Sequence, residues 1–394
     1  MKRKIAVVTS SRADYSHLYW PLKELSAKDD IDLRIVALGS HLSPEFGNTA
    51  DEIERDGFKI ASKIECLLSS DTDLGMAKTI GLATLGLADL FAEMRPDILL
   101  LIADRYEMLA PASVALALRI PIAHIEGGEV SEGAIDDAVR HALTKMSHIH
   151  FTSTYAARDR VIQMGEEEWR VHRAGAPSLD HIRRQILLKR GDLEMRLDLN
   201  LGSPTILVAY HPVTINRDTL SETDALFKAL DSLYHQILFC FPNADAGSRA
   251  LIRRTKDFVE SKGRGNVFIN LDTLTYLSLL GQVDAFVGNS SSGIMEAASF
   301  QLPVVNIGVR QQGRERARNV IDVTADAAMI RDGIRKAILP DFRRSLIDLK
   351  NPYGDGFAAE TIVRVLSGLP GTEQLLMKRH PDVDGVPTTS LRAR

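Results

Sequence analysis

The chain has 394 residues, enough for two or three domains at the usual ~100–200 residues each, and 45% of them are apolar. Its 48 Lys and Arg against 52 Asp and Glu give a formal net charge of -4, which excludes the basic excess of a general nucleic-acid binder. Two cysteines, Cys66 and Cys240, offer neither a disulfide framework nor a metal signature. No run reaches the ~18 apolar residues of a membrane span, and the basic start is followed by an apolar run too short for a signal peptide. A cytoplasmic location is therefore expected.

Residues 4–9 (KIAVVT) form a β-rich apolar run, followed by SSRADYS, read as a polar turn, and a helix from about His17 to Leu25. LRIVALG (33–39) reads as strand and Asp73 to Met94 as helix. DILLLIA (97–103) is apolar without alternation, as in a strand buried on both faces. A helix from Glu107 to Leu118, a strand at 120–125, a helix near 134–146, a strand near 148–152, a helix near 154–164 and a strand at 171–175 follow. Residues 186–203 are charged and weakly patterned. A second series then begins with strands at 205–210, 236–242, 267–270, 284–289 and 303–308, and helices near 222–234, 247–258, 274–281 and 292–299 between them. Strands alternating with helices predict α/β architecture, with mostly parallel sheets covered on both faces. The expected division is 1–190, 191–355, a helical region 356–376, and a tail 377–394 whose Pro and turn residues predict fraying.

Ligands of open α/β sheets bind outside the C-terminal ends of the strands, which selects particular loops. SSRADYS lacks the GxGxxG dinucleotide fingerprint. Its Arg12 is either a donor fork for phosphate or part of a charged surface turn, and Asp14 is placed to cap the next helix. ADRYE puts Asp104, Arg105 and Glu107 at the mouth of a central strand, where ionisable groups must be paired or solvated. HIEGGEVSEGAIDDAVRH adds His124, Glu126, Glu129, Asp136, Asp137, Arg140 and His141. This gathering of carboxylates points to proton transfer or to a hydroxylated substrate, although Asp136 or Asp137 can equally be a helix cap. No H-E-x-x-H pattern occurs, and neither a metal nor a redox cofactor is expected.

In the second half, His211 ends a strand and is placed to face the cleft. FPNADAGS puts Asn243, Asp245 and Ser248 ahead of a helix. In GNSSSGIMEA, the small residues Ser290, Ser291, Ser292 and Gly293 expose N–H groups at a helix start, an anion site. Glu296, read on the first turn, either favours the helix dipole or accepts hydrogen bonds from a ribose. RQQGRERARNV contributes Arg310, Arg314, Arg316 and Arg318, a solvated loop or a phosphate grip.

TSSRADYS, ADRYEML, the long HIEGGEVSEGAIDDAVRHALTKMSHIHF segment, HPVT, FPNADAGS, GNSSSGIMEA, NIGVRQQGRERARNV and NPYGDG occur in this order. With them the chain resembles the hydrolysing UDP-N-acetylglucosamine 2-epimerases, the bacterial enzymes feeding sialic-acid and legionaminic-acid synthesis, across residues 4–369. The resemblance implies two Rossmann-like domains in a glycosyltransferase-B arrangement, a C-terminal helix crossing back to the first domain, and a homodimer or homotetramer. It implies catalytic roles for Asp104, Glu126 and Asp136, with Asp137 a close rival, and places His211 near the diphosphate. Arg12, Asp14, Arg105, Glu107, Asn243, Asp245, Ser248, Ser290, Ser291, Ser292, Gly293, Glu296, Arg310, Gln311 and Arg314 become candidate contacts to a UDP-sugar. Two departures stand out: Ser10 and Ala103 occupy positions where the family commonly has glycine. Three other activities fit the same motifs: a non-hydrolysing UDP-sugar 2-epimerase, a glycosyltransferase, and a nucleotide-sugar binder without turnover.

Overall fold

A computed structural model describes residues 2–68, 72–132, 135–202, 204–211, 221–241, 248–263, 265–269 and 271–379. The first half contains β1 (Arg3–Thr9), β2 (Ile31–Leu38), β3 (Ile60–Ile64), β4 (Ile98–Ile102), β5 (Ile122–Ile125), β6 (Ile149–Thr152) and β7 (Val171–Arg173). The second contains β8 (Thr205–Ala209), β9 (Gln236–Phe241), β10 (Asn266–Ile269), β11 (Ala285–Gly288), β12 (Val304–Ile307) and β13 (Val320–Val323). All pairings are parallel, in the orders 3-2-1-4-5-6-7 and 10-9-8-11-12-13. Each order reverses direction once, at β1/β4 and at β8/β11, and such a switch point opens a crevice beyond the strand ends.

Alternation along each strand sends side chains to two cores. Ile5 and Val7 join one face of the first sheet, whereas Ala6 and Val8 join the other. The second sheet is covered on both faces in the same way, with Ile206 and Val208 on one side and Leu207 and Ala209 on the other. Leu193 and Leu201, just past the expected boundary, pack with the second sheet. The helix Ala358–Gly368 returns to the first, burying Ile362, Val363 and Leu366 there.

Local structure departs from expectation in several places. The first helix starts at Arg12, not His17, because Ser11 caps it by accepting a hydrogen bond from the Asp14 N–H. SSRADYS is thus a strand-to-helix junction, with Arg12 and Asp14 in the first helical turn. The charged segment after 186 contains a helix, Arg190–Leu197. β3 and β13 were not anticipated. The segment Met377–Arg379, assigned to the fraying tail, is docked on the first domain: Lys378 bonds Glu166 and the Lys145 and Ser147 carbonyls. Residues 380–394 of that tail lie outside the described residues. Among the described residues one helix, Asp73–Met94, is long and apolar enough to cross a membrane by length and composition, a feature the run-length reading passed over. Its Gly75, Thr79, Ala83, Leu87 and Phe91, spaced four apart, form a buried stripe.

Candidate active site

The crevice collects the loops after β1, β4 and β5 on one side and those after β8, β11 and β12 on the other. Direct contacts close it. Arg314 donates from Nε to the Val130 carbonyl (3.0 Å) and from Nη2 to Ser131 Oγ (3.2 Å). Ser178 donates to Glu296 Oε1 (2.5 Å), and Ser16 Oγ lies 3.1 Å from Thr273 Oγ1.

Two carboxylate–cation pairs stand at the ends of adjacent strands. Beyond β4, Asp104 pairs with Arg140, whose guanidinium also donates to the Glu129 carbonyl (3.0 Å) and Ser131 Oγ (3.2 Å). Beyond β5, Glu126 Oε1 lies 2.9 Å from His17 Nδ1. Glu126 adopts φ +65°, a left-handed conformation costly for a residue with a Cβ, while its N–H donates to the Phe151 carbonyl at 2.7 Å. Burial alone would raise the Glu126 pKa, but the His17 charge and hydrogen bond, with Arg314 and His124 beyond, bring it below the ordinary glutamate value. Burial likewise opposes a charged His17, yet Glu126, then Glu296 and Asp14, outweigh it and raise the imidazole to about 9.

The two rival aspartates separate. Asp137 Oδ1 accepts from the Ser131 N–H at 2.6 Å and sits 3.8 Å from Arg140. Asp137 therefore braces the loop ahead of its helix, a contact to a loop N–H and not a cap on a helical one. Asp136 is half-buried in the first turn of the helix Ile135–Met146. Glu129 is nearly fully buried, its Oε1 without a hydrogen-bond partner among the described residues, and burial, opposed by Arg314, raises it to about 7.

Several residues expected to contact a ligand also bond within the protein itself. The Glu107 side chain is fully buried and holds Arg105 through both oxygens (2.9 and 3.3 Å), so it orients Arg105 instead of meeting a ligand. Asp14 accepts from the Ser10 N–H and hydroxyl (3.1 and 2.7 Å). Arg12 Nε faces Glu52 at 3.2 Å. His124 Nε2 lies 2.8 Å from the Ala103 carbonyl, and burial lowers its pKa to about 4. Ala103, in the family's glycine position, has φ +60°, the conformation that glycine adopts freely.

Across the cleft, Asn289 is the organiser that the motif reading missed. Its amide clamps the His211 backbone, accepting from the N–H (2.7 Å) and donating to the carbonyl (2.8 Å), while its own carbonyl accepts from Arg310 Nη1 (3.0 Å) and Gln311 Nε2 (2.8 Å). Gly288 permits this approach: a Cβ there would stand 1.9 Å from the Ala209 carbonyl oxygen. Burial, then Arg310, lowers His211 to about 3, leaving a neutral ring at ordinary pH. Ser290 caps a short helix, Ser291–Met295, that ends before Glu296. Glu296 is thus the C-cap of that helix, not part of its first turn, and the N-cap of the 3-10 helix Ala297–Phe300 that follows. Asn243, Asp245 and the Ser248 side chain lie outside the described residues. Among the described residues no group of three or more His, Cys, Asp or Glu side chains is gathered for a metal ion.

Two parallel α/β domains of this topology, with a polar site in the cleft, define a Rossmann-like protein in the glycosyltransferase-B arrangement. A model of the UDP-N-acetylglucosamine 2-epimerase family matches residues 23–367, and the chain belongs to that family. It is 41% identical over 324 residues to the hydrolysing GDP/UDP-N,N'-diacetylbacillosamine 2-epimerase of Campylobacter jejuni, covering 82% of this chain and 84% of that one. It is 38% identical to the hydrolysing UDP-N,N'-diacetylbacillosamine 2-epimerase of Legionella pneumophila, covering 96% and 99%. The fold also matches the UDP-N-acetylglucosamine 2-epimerase of Methanocaldococcus jannaschii, solved in complex with UDP-N-acetylglucosamine and UDP (TM-score 0.77, 18% identity, covering 92% and 99%).

Proposed function

We propose that this chain is a hydrolysing 2-epimerase that converts a UDP-2-acetamido sugar and water into the free manno-configured sugar and UDP. UDP-N,N'-diacetylbacillosamine, a 2,4-diacetamido-2,4,6-trideoxy sugar, is its substrate ahead of UDP-N-acetylglucosamine, a choice supported by the names of the two relatives above. The observation that carries the reading is the pair of carboxylates, Asp104 and Glu126, each beside a cation at adjacent strand ends and facing the arginine loop of the other domain.

In the first step the C1–O bond breaks and its electron pair leaves with UDP, while a carboxylate takes the C2 proton. The product is a 2-acetamidoglucal. Water then adds at C1 and a proton returns to C2 on the opposite face. No redox cofactor is required, since C2–H becomes acidic as C1 gains oxocarbenium character. Arg12, Arg105, Arg310 and Arg314, the Ser290–Gly293 turn and neutral His211 would stabilise the departing diphosphate. Glu296, buried against Ser178, would meet the ribose. Asp104, Glu126 and Asp136 would share the proton transfers, and Asp137 would hold the loop.

Incubating the protein with each UDP-sugar should release UDP and free sugar in equal amounts, faster from the diacetamido compound. Epimerised UDP-sugar without UDP would establish the non-hydrolysing reaction instead, and UDP release only with an added acceptor would establish glycosyl transfer. Asp104→Asn, Glu126→Gln and Asp136→Asn should each lose about 10²–10⁴-fold in turnover, with UDP affinity by calorimetry kept. Near-parental turnover in all three would rule the mechanism out. The working unit is a homodimer in the cytoplasm: closed two-fold assemblies are the commonest kind, and two buried free thiols suit a reducing compartment.

A further inference from the structure

The motif reading left His17 as a helix residue, yet among the described residues only His17 contacts a Glu126 side-chain oxygen. The two acid–base pairs of the cleft differ in kind. Asp104 faces a guanidinium, which does not release its proton in proteins. Glu126 faces an imidazole, which does. The His17 side chain is 25% exposed and that of Glu126 10%, so the pair reaches solvent through the histidine. We propose that His17 is the positioning residue of Glu126: its imidazolium holds the strained, buried carboxylate as an aimed anion and exchanges its proton with solvent between turnovers. This rests on the epimerase reading above, in which Glu126 must begin or end a cycle ionised.

The surroundings suit the role. His17 is faced by Glu126 from the loop after β5, by Asp14 on its own helix, by Glu296 beyond β11, and by His181, itself held neutral by burial, on the helix Ser178–Arg184. Glu126 is faced in addition by Arg314, His124 and Glu129. Three acids around one imidazole keep it protonated. Removing it leaves the Glu126 carboxylate with burial and a more distant arginine, so its proton affinity rises.

The experiment is the pH profile of kcat/KM for UDP release from UDP-N,N'-diacetylbacillosamine, from about pH 3 to 9, a range that includes the parent's acidic limb below the ordinary glutamate value. His17→Gln should move the acidic limb upward by about 1–3 units, the span expected for loss of a neighbouring opposite charge. His17→Lys should bring it back toward the parent. A limb that stays in place in His17→Gln, with turnover reduced equally at every pH, overturns the proposal. A second readout needs no activity. By NMR titration His17 should protonate near pH 9 in the parent and at least one unit lower in Glu126→Gln, and an unchanged midpoint also overturns it. Should the parent release no UDP from any UDP-sugar, the epimerase reading fails while the titration still decides the pairing.

Discussion

Single residues in this cleft carry pH dependence that can be given a sign. The Glu129 pKa in the folded protein is about 7, raised by burial above the ordinary 4.5. The folded state therefore binds a proton that the unfolded state releases between those values. Stability from this group is present below about pH 4.5 and is lost as pH rises to about 7. At 1.36 kcal/mol per unit, the loss is about 3 kcal/mol at most. Glu129→Gln, which keeps the shape without the charge, should match the parent at pH 4.5 and exceed it in denaturant midpoint at pH 8. A gap that does not grow with pH would show that Glu129 is ionised in the fold. At this scale the sequence was readable where chemistry is local and opaque where it is tertiary. Asp104 and Glu126 announce themselves by following apolar runs. His17 lies 109 positions from its partner, and nothing in the helix around it hints at the pairing. Ala103 is the intermediate case: its place in a glycine position was visible, and the positive φ is the physical reason that glycine is usual there.

At the level of elements, strands buried on both faces were legible as unbroken apolar runs, whereas two of the edge strands, β3 and β13, were missed. β3 reads IASKI, with every residue intermediate or exposed, and β13 reads VIDV, with only Val323 buried. Each has a neighbour on one side only, so neither needs a continuous apolar sequence. Helix ends were misplaced where a cap or early termination decided them, at Ser11 and after Met295. The helix Asp73–Met94 poses a different question, because its outer side is also apolar. Leu74, Leu82 and Leu85 are 63%, 43% and 70% exposed, beside Leu116 at 43% on the following helix. Such a face is the natural surface for the second copy in the proposed dimer. Replacing both Leu82 and Leu85 with Glu should yield monomers by light scattering with the circular dichroism spectrum unchanged. A variant that remains dimeric would locate the interface elsewhere.

The whole molecule is tied together by its last described residues. After the helix Ala358–Gly368 has packed on the first sheet, the chain runs on to a buried anchor beside β6 and β7. Glu166 has no exposed side-chain surface and is reached by Lys145 (2.5 Å), His150 (3.1 Å) and Lys378 (2.6 Å). Burial would raise its pKa, but His150 and the two lysines bring it to about 2. Arg170, also buried, donates to the carbonyls of Leu375 (2.9 Å) and Met377 (2.8 Å), and Glu167 accepts from the Arg379 N–H at 3.1 Å. A chain ending at Arg379 keeps every one of these contacts. A chain ending at Leu376 removes Lys378 from Glu166 and one carbonyl from Arg170. A buried charge that loses a partner is worth several kcal/mol, about 3–5 when the partner was the only one; Lys145 and the His150 ring remain on Glu166, so the expected loss is smaller, about 1–3 kcal/mol. The first truncation should melt with the parent and the second several degrees lower, both measured by scanning calorimetry. Co-melting of the two would mean that the Lys378 anchor contributes nothing to stability, and that the contacts of Leu375 and the helix before it suffice to fix the crossing segment.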